Sequence, residues 1–290
     1  MRMLNTQGAL ALALAIACSC CARAQQDGRV TFRYRPPQVG EENAGDKLMQ
    51  YQFQSTLSQN GQVIRRKSNE VSQQRQTRVR VLASDGQAAT KIAVRYDRAR
   101  RNVADADRPP SAKDEAVAGK SYVVQRRDKR LVIARDSGDK VSSEERDLLE
   151  RYHHTLGHRN VFSRLLDGRT LAPGETVRLK TDEVREILGI KAESIGQVEH
   201  FTLTFNGTRR VGNELCGVFE ASASIELPDL AVTAPFRGEY VVTVDGLREA
   251  SLDLSAPLRS KRRQAFDTDA FDFVGEGQLR LVYQVQPLRR

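Results

Sequence analysis

Met49-Gln50-Tyr51-Gln52-Phe53-Gln54-Ser55-Thr56-Leu57 decides the fold. Met49, Tyr51, Phe53 and Leu57 share one parity, and Gln50, Gln52, Gln54 and Thr56 the other. Successive residues of a strand point to opposite faces, so this stretch is a strand with one buried and one wet side, as antiparallel sheets have. Asn60-Gly61 follows at once. That pair tolerates the two positive φ angles of a tight hairpin, so the chain turns back here.

The same pattern spreads in both directions. A second strand runs from Gln62 toward Ser72 and a third from Thr77 to Ala83; after Asp85-Gly86, a fourth carries Ile92, Val94 and Tyr96. Thr31 to Arg35 reads as an edge strand stopped by Pro36-Pro37. Two short strands, Ser121 to Arg126 and Arg130 to Arg135, meet at Asp128-Lys129. Further on, Phe201, Leu203 and Phe205 alternate up to a turn at Asn206-Gly207, and Leu215, Phe219, Ala221, Ala223 and Ile225 share the next strand's parity. Tyr240, Val242 and Val244 lead through Asp245-Gly246 to Ala250, Leu252 and Leu254, and Leu279 to Val285 closes the pattern. Val103 to Gly119, with Pro109-Pro110, reads as a long loop, and Ser255 to Thr268 as a charged one.

The middle of the chain changes period. Ser142 and Glu145 stand at capping-box spacing, and Leu148, Leu149, Tyr152 and Leu156 then fall on one helical face, with Gly157 placed to end the helix. Asn160 is positioned to cap a second short helix carrying Val161, Phe162, Leu165 and Leu166. A short strand, Thr176 to Leu179, precedes a third helix from Thr181 to Leu188, stopped by Gly189. Consecutive hairpins that are apolar on one face make a wide sheet whose apolar side needs a cover. The expected fold is therefore mainly β (α+β): a large curved antiparallel sheet or half-open barrel, with a helical insert at 142–190 covering its concave face. Residues 25–290 form one domain in this reading, the alternative being a division near 103–119.

The first 24 residues have their own logic. Arg2 is a basic start, Ala9 to Ala17 an apolar run, and Ala22-Arg23-Ala24 a small-residue cleavage site, the marks of a signal peptide over residues 1–24. The run is shorter than the roughly 20 apolar residues needed to span a bilayer. Export to the periplasm or the extracellular space is expected, with a mature chain starting near Gln25. Ala15-Ile16-Ala17-Cys18 also resembles a lipobox, which makes Cys18 the lipidation candidate and a lipid-anchored envelope protein the alternative. Cys216 is the only cysteine left after cleavage, so the mature chain has no internal disulfide and stability must come from packing.

The whole chain carries 46 basic and 37 acidic residues, and removing the leader's two arginines leaves a net charge of +7. Basic groups recur at Arg65-Arg66-Lys67, Arg98 to Arg101, Arg126 to Arg130, Lys261 to Arg263 and Arg289-Arg290, with no single stretch dominating. Weak adhesion to anionic membrane surfaces is expected. Specific nucleic-acid binding is not, because stacking aromatics are absent from among the cations and the chain has no Trp.

In element order, the chain resembles the periplasmic lipoprotein-carrier architecture, a curved sheet with helices plugging its concave side. Gly238-Glu239-Tyr240-Val241-Val242-Thr243-Val244-Asp245-Gly246 and Leu252-Asp253-Leu254-Ser255 resemble hairpins of uncharacterised secreted bacterial β-rich proteins. The resemblance implies a fold and a compartment, and it carries over no functional residue.

Chemistry is sparse. Glu150, His154 and His158 stand at i, i+4 and i+8, a spacing that brings three Zn²⁺-type ligands to one helical face, although Gly157 intervenes. Asp267, Asp269 and Asp272 lack the glycine and terminal glutamate of a calcium loop. Asn206-Gly207-Thr208 matches a glycosylation sequon but reads better as a turn. No nucleophile elbow, phosphate loop or dinucleotide fingerprint is present, and no cofactor is expected. The expected function is that of an exported, non-enzymatic envelope protein binding an apolar or amphiphilic ligand, a lipid for example, under a helical lid. A structural or interaction module of the envelope is the alternative, and a metal-assisted hydrolase around His154 a further one.

Overall fold

The computed structural model describes residues 28–188, 197–227, 232–266 and 269–288. The signal-peptide and lipidation readings, Cys18 included, lie outside them, as do Gly189 and Asp267. Within them the chain folds into an open antiparallel sheet of twelve strands, in the order β7 (Arg130–Arg135), β6 (Ser121–Arg127), β4 (Ala89–Asp105), β3 (Gln62–Ser84), β2 (Glu42–Gln59), β14 (Asp269–Pro287), β13 (Glu249–Phe266), β12 (Val232–Thr243), β11 (Glu214–Leu227), β10 (Val198–Val211) and β9 (Thr176–Arg178), with β5 (Arg108–Asp114) on the free half of β4. Three short helices interrupt it: α1 (Ser143–Tyr152), α2 (Val161–Leu166) and α3 (Thr181–Leu188). The mainly β architecture with a helical insert is thus the one expected, and the sheet is not closed into a barrel.

The strand carrying the deciding alternation is β2 (Glu42–Gln59), and at Asn60-Gly61 (φ 48° and 84°) it turns into β3 (Gln62–Ser84). The second and third expected strands are this one long strand. No proline or glycine separates Gln62 from Ser84, so nothing breaks it. After β4 (Ala89–Asp105), the stretch expected to be a loop holds β5 (Arg108–Asp114). Pro109 and Pro110 are accommodated because β5 pairs on one side only, with β4. β6 (Ser121–Arg127) and β7 (Arg130–Arg135) follow as expected.

β1 (Val30–Thr31) pairs with β8 (Thr170–Leu171) in a separate two-stranded sheet, and the next residue, Phe32, is fully buried against Phe205 and Phe219. β9 (Thr176–Arg178) lies along β10 (Val198–Val211), which continues straight through Asn206-Gly207. Gly207 marks a bulge there, and the reversal into β11 (Glu214–Leu227) comes at Gly212-Asn213. β12 (Val232–Thr243) turns through Asp245-Gly246 into β13 (Glu249–Phe266), a single strand across the segment read as a charged loop. β14 (Asp269–Pro287) returns between β13 and β2.

Two apolar clusters fill the inner face. The larger lies beneath α2 and α3, where Phe162 packs on Tyr240 with ring centroids 4.5 Å apart and Val184, Ile187 and Leu188 meet strands β10 to β14. The smaller packs Leu149 and Leu156 onto Ile92, Val94, Tyr96 and Tyr122 of β4 and β6. Each fully buried side chain of this size contributes about 1.5–3 kcal/mol. Close strand contact also demands glycine at Gly275, where the Phe53 ring sits 2.3 Å from the place a Cβ would occupy.

The α1 start confirms its sequence signal. Ser142 Oγ accepts from the Glu145 backbone N–H, and Glu145 returns the bond to the Ser142 N–H. Glu145 does more than cap. Fully buried, its carboxylate also accepts from Lys120 Nζ (2.8 Å), Tyr122 OH (2.8 Å) and Arg135 Nη2 (2.6 Å). Burial pushes its pKa up, but the bonds from Lys120, Ser142, Tyr122 and Arg135 outweigh this and hold it far below the usual carboxylate range.

A candidate amphiphile cavity at the seam of two cores

Where the two apolar clusters fail to meet, the inner face of the sheet leaves a cavity of about 330 Å³, within the range of small-molecule sites. Its floor is strands β3, β2, β14 and β13, and its roof is the end of α1, the start of α2 and the end of α3. Strand register explains its character. Arg75, Lys47, Tyr283, Leu252, Tyr240, Phe219 and Phe205 stand directly abreast across β3, β2, β14, β13, β12, β11 and β10. Residues abreast in an antiparallel sheet share a face, so this row is aromatic and aliphatic at one end and cationic at the other. The cavity opens at the changeover, lined by Arg75, Lys47, Tyr283 and Leu252, with Leu281 and Ile187 nearby.

Lys47 has the parity of Met49, Tyr51 and Phe53, a cation on the apolar face of its strand. Among the described residues its Nζ reaches only the Leu188 carbonyl (3.4 Å), at the C-terminal end of α3 where a cation suits the dipole. Burial lowers its pKa, Arg75 lowers it further, and Glu249 opposes both. Glu249 reaches the cavity through a bulge: Val241 pairs with Ser251 but Val242 with Glu249, so Ala250 is skipped and the strand's parity reverses. Ala250 instead packs with Cys216 and Val241. Burial raises the Glu249 pKa, with Tyr240 and Lys47 acting against it. The buried Tyr240 hydroxyl makes no hydrogen bond of ordinary geometry among the described residues, although it lies close enough to bias Glu249. Among the described residues, Lys47 and Glu249 form no ion pair within 4 Å, with each other or with any other group.

A second polar group fixes the roof. Arg75 lies 3.7 Å over the Tyr152 ring and 3.4 Å from Glu115, which also accepts from Tyr152 OH at 3.2 Å. Burial pushes the Tyr152 phenol up to about 12. His153 caps the C-terminus of α1, its backbone N–H bonded to Leu149, and its Nε2 lies 2.9 Å from Tyr96 OH. Burial, with His154 adding to it, lowers the His153 pKa to about 4, so the ring is neutral at neutral pH. On the next strand over, Arg126 donates to the Leu156 carbonyl (2.8 Å) and to that of His154, locking the turn that follows α1.

Of the residues singled out from sequence, Glu150, His154 and His158 are all exposed and do not share a helical face. α1 ends at Tyr152, five residues before Gly157, and the chain then turns through Leu156 N–H to His153 O and His158 N–H to Thr155 O. Among the described residues no group of three His, Cys, Asp or Glu side chains is placed to hold a metal ion. Asp269 opens β14, and Asp272, within that strand, lies 3.8 Å from Arg263. With His154, His153 lines the cavity, although the metal reading passes it over. Its spacing of four from Leu149 on the buried helical face was the available signal. Lys47 announced itself by parity, whereas Glu249 is turned inward by a bulge that parity conceals.

No protein-family model and no curated protein matches the chain. Among solved structures, lipovitellin, studied for its lipid–protein interactions, aligns at 10% identity over 87% of this chain and 26% of its own, with a TM-score of 0.41. The chain thus spans about a quarter of the length of lipovitellin. DynF, from the dynemicin biosynthesis pathway of Micromonospora chersina, aligns at 9% identity over 97% and 92% of the two chains, with a TM-score of 0.14. Both scores lie below the level of a shared fold.

Proposed function

We propose that the chain is an exported, non-enzymatic envelope protein that holds an apolar or amphiphilic small molecule in the seam cavity, beneath its helices. The observation that carries this reading is the cross-sheet row, which changes from Phe219, Tyr240 and Leu252 to Lys47 and Arg75 where the void lies. An amphiphile matches both halves. Its apolar part lies against Leu252, Leu281 and Ile187, and its polar end meets Lys47 and Glu249, which otherwise bear a desolvation cost without an ion-pair partner among the described residues. Binding without turnover is supported by the lining, whose histidine at the sheet is held neutral by burial and bonded to Tyr96. Export rests on Arg2, the Ala9–Ala17 run and the Ala22-Arg23-Ala24 site. Its fold class and compartment are those implied by the lipoprotein-carrier resemblance.

Native mass spectrometry of the protein purified from its own envelope tests the proposal. A bound mass that organic extraction removes and identifies as an amphiphile is the expected result. A single empty mass, unchanged by extraction, contradicts it and favours the envelope interaction module.

A further inference from the structure

Two basic blocks that lie almost 200 residues apart in the chain meet at one end of the sheet. Arg65-Arg66-Lys67 on β3 and Lys261-Arg262-Arg263 on β13 flank β2 and β14, giving the rows Arg65–Leu57–Phe273–Arg262 and Arg66–Thr56–Val274–Lys261. Among the described residues, β13 has no β12 partner beyond Ser255 and β3 no β4 partner before Asn69, so this end is a four-stranded blade. Lys261, Arg262 and Arg263 follow the buried Ser260 of β13 and are all exposed. Asn60 ties the two hairpin tips together, donating its N–H to the Ala270 carbonyl and accepting from the Ala270 N–H through its side chain.

The blade combines exposed aliphatic groups with uncompensated cations. Val63 and Ile64 are each 51% exposed and Val274 41%, at a place where both faces of the sheet meet solvent. Arg65, Lys67 and Arg263 have acidic partners in Asp107, Asp105 and Asp272. Arg66, Lys261 and Arg262 are exposed and have no ion pair among the described residues. Arg66 and Lys261 share a face with Val274, and Arg262 shares the other face with Leu57 and Phe273.

We infer that this blade is a docking surface for anionic phospholipid bilayers. Aliphatic side chains flanked by Lys and Arg fit the boundary between headgroups and acyl chains, where apolar burial and attraction to anionic lipid add. Cations on both faces suit end-on entry, since each face then meets headgroups. A single-stranded nucleic acid would call for stacking aromatics at Val63, Ile64 and Val274 instead. This inference stands apart from the cavity, which lies farther along the same strands.

Flotation of the mature chain with phosphatidylcholine vesicles, with and without phosphatidylglycerol, at low and high salt, tests it. Binding is expected only with phosphatidylglycerol and is weakened by salt. Arg66→Gln/Lys261→Gln/Arg262→Gln lowers partitioning about a hundredfold, the contribution of three interfacial cations. The matched triple at the β6–β7 turn, Arg127→Gln/Lys129→Gln/Arg130→Gln, retains wild-type partitioning. Val63→Ser/Ile64→Ser/Val274→Ser also weakens it, with unchanged circular dichroism. Equal losses in the two charge triples, binding indifferent to lipid charge and salt, or displacement from vesicles by DNA would each overturn the inference.

Discussion

Glu145→Gln isolates a buried charge held by four donors. The substitution keeps the shape of the side chain and its capping position but removes the carboxylate that Lys120, Tyr122, Arg135 and the Ser142 N–H all serve. Arg135, with only 21% of its side chain exposed, keeps a longer pair with Asp139 (3.7 Å), and Lys120, at 39%, recovers part of its loss in water. Breaking one partner of a buried pair costs roughly 3–5 kcal/mol, and Lys120's exposure argues for the lower end, about 3 kcal/mol. In a chain of this size that lowers the melting temperature by about 6–12 °C. The carboxylate's pKa is depressed on folding, so its stabilisation is fully present above the unfolded value near 4.5 and fades as pH falls below it. Thermal melts of wild type and variant should therefore lie furthest apart at neutral pH and converge toward pH 3. A gap of less than about 1 kcal/mol at neutral pH, or one that widens on acidification, would refute the reasoning.

Three further outcomes follow from particular contacts. Gly275→Val drives a side chain into the Phe53 ring and should cost about 1–3 kcal/mol in urea unfolding, whereas Gly61→Val, in open space but at φ 84°, should cost about 1–2 kcal/mol through backbone strain alone. His153 has a folded pKa near 4 against an ordinary imidazole value of 6.5, so wild-type stability should fall as pH drops from 6.5 toward 4. His153→Phe should flatten that slope in melts across pH, at the expense of the Tyr96 contact. Zn²⁺ titration followed by elemental analysis should give the same result for wild type and His154→Ala/His158→Ala, because those exposed side chains do not converge.

The sheet was legible wherever one of its faces is covered. Met49 to Leu57 and Phe201 to Phe205 alternate because the core lies on one side only. Legibility ended where that condition fails. At Lys261 to Arg263 both faces of β13 are wet, so this stretch reads as loop although it is strand. Gln73 to Gln76 separates two apolar stretches of β3 because its inner residues face polar partners such as Glu115, and the break suggested two strands where there is one. Asn206-Gly207 has the composition of a turn, but Gly207 relieves a bulge instead. The helix caps at Ser142 and Asn160 are local devices and were readable as such. The cavity is not local: Lys47, Arg75 and Glu249 come together only through the register of four strands and a bulge at Ala250.

The central claim is that the seam cavity holds an amphiphile. Its most direct test is titration of a fluorescent fatty-acid probe, whose emission rises on leaving water, into wild type and into Val79→Trp, which fills the cavity from its β3 wall. Saturable binding at one site per chain, abolished by Val79→Trp without loss of the folded state and weakened by Lys47→Met, is the predicted result. Equal binding by wild type and Val79→Trp would contradict the account.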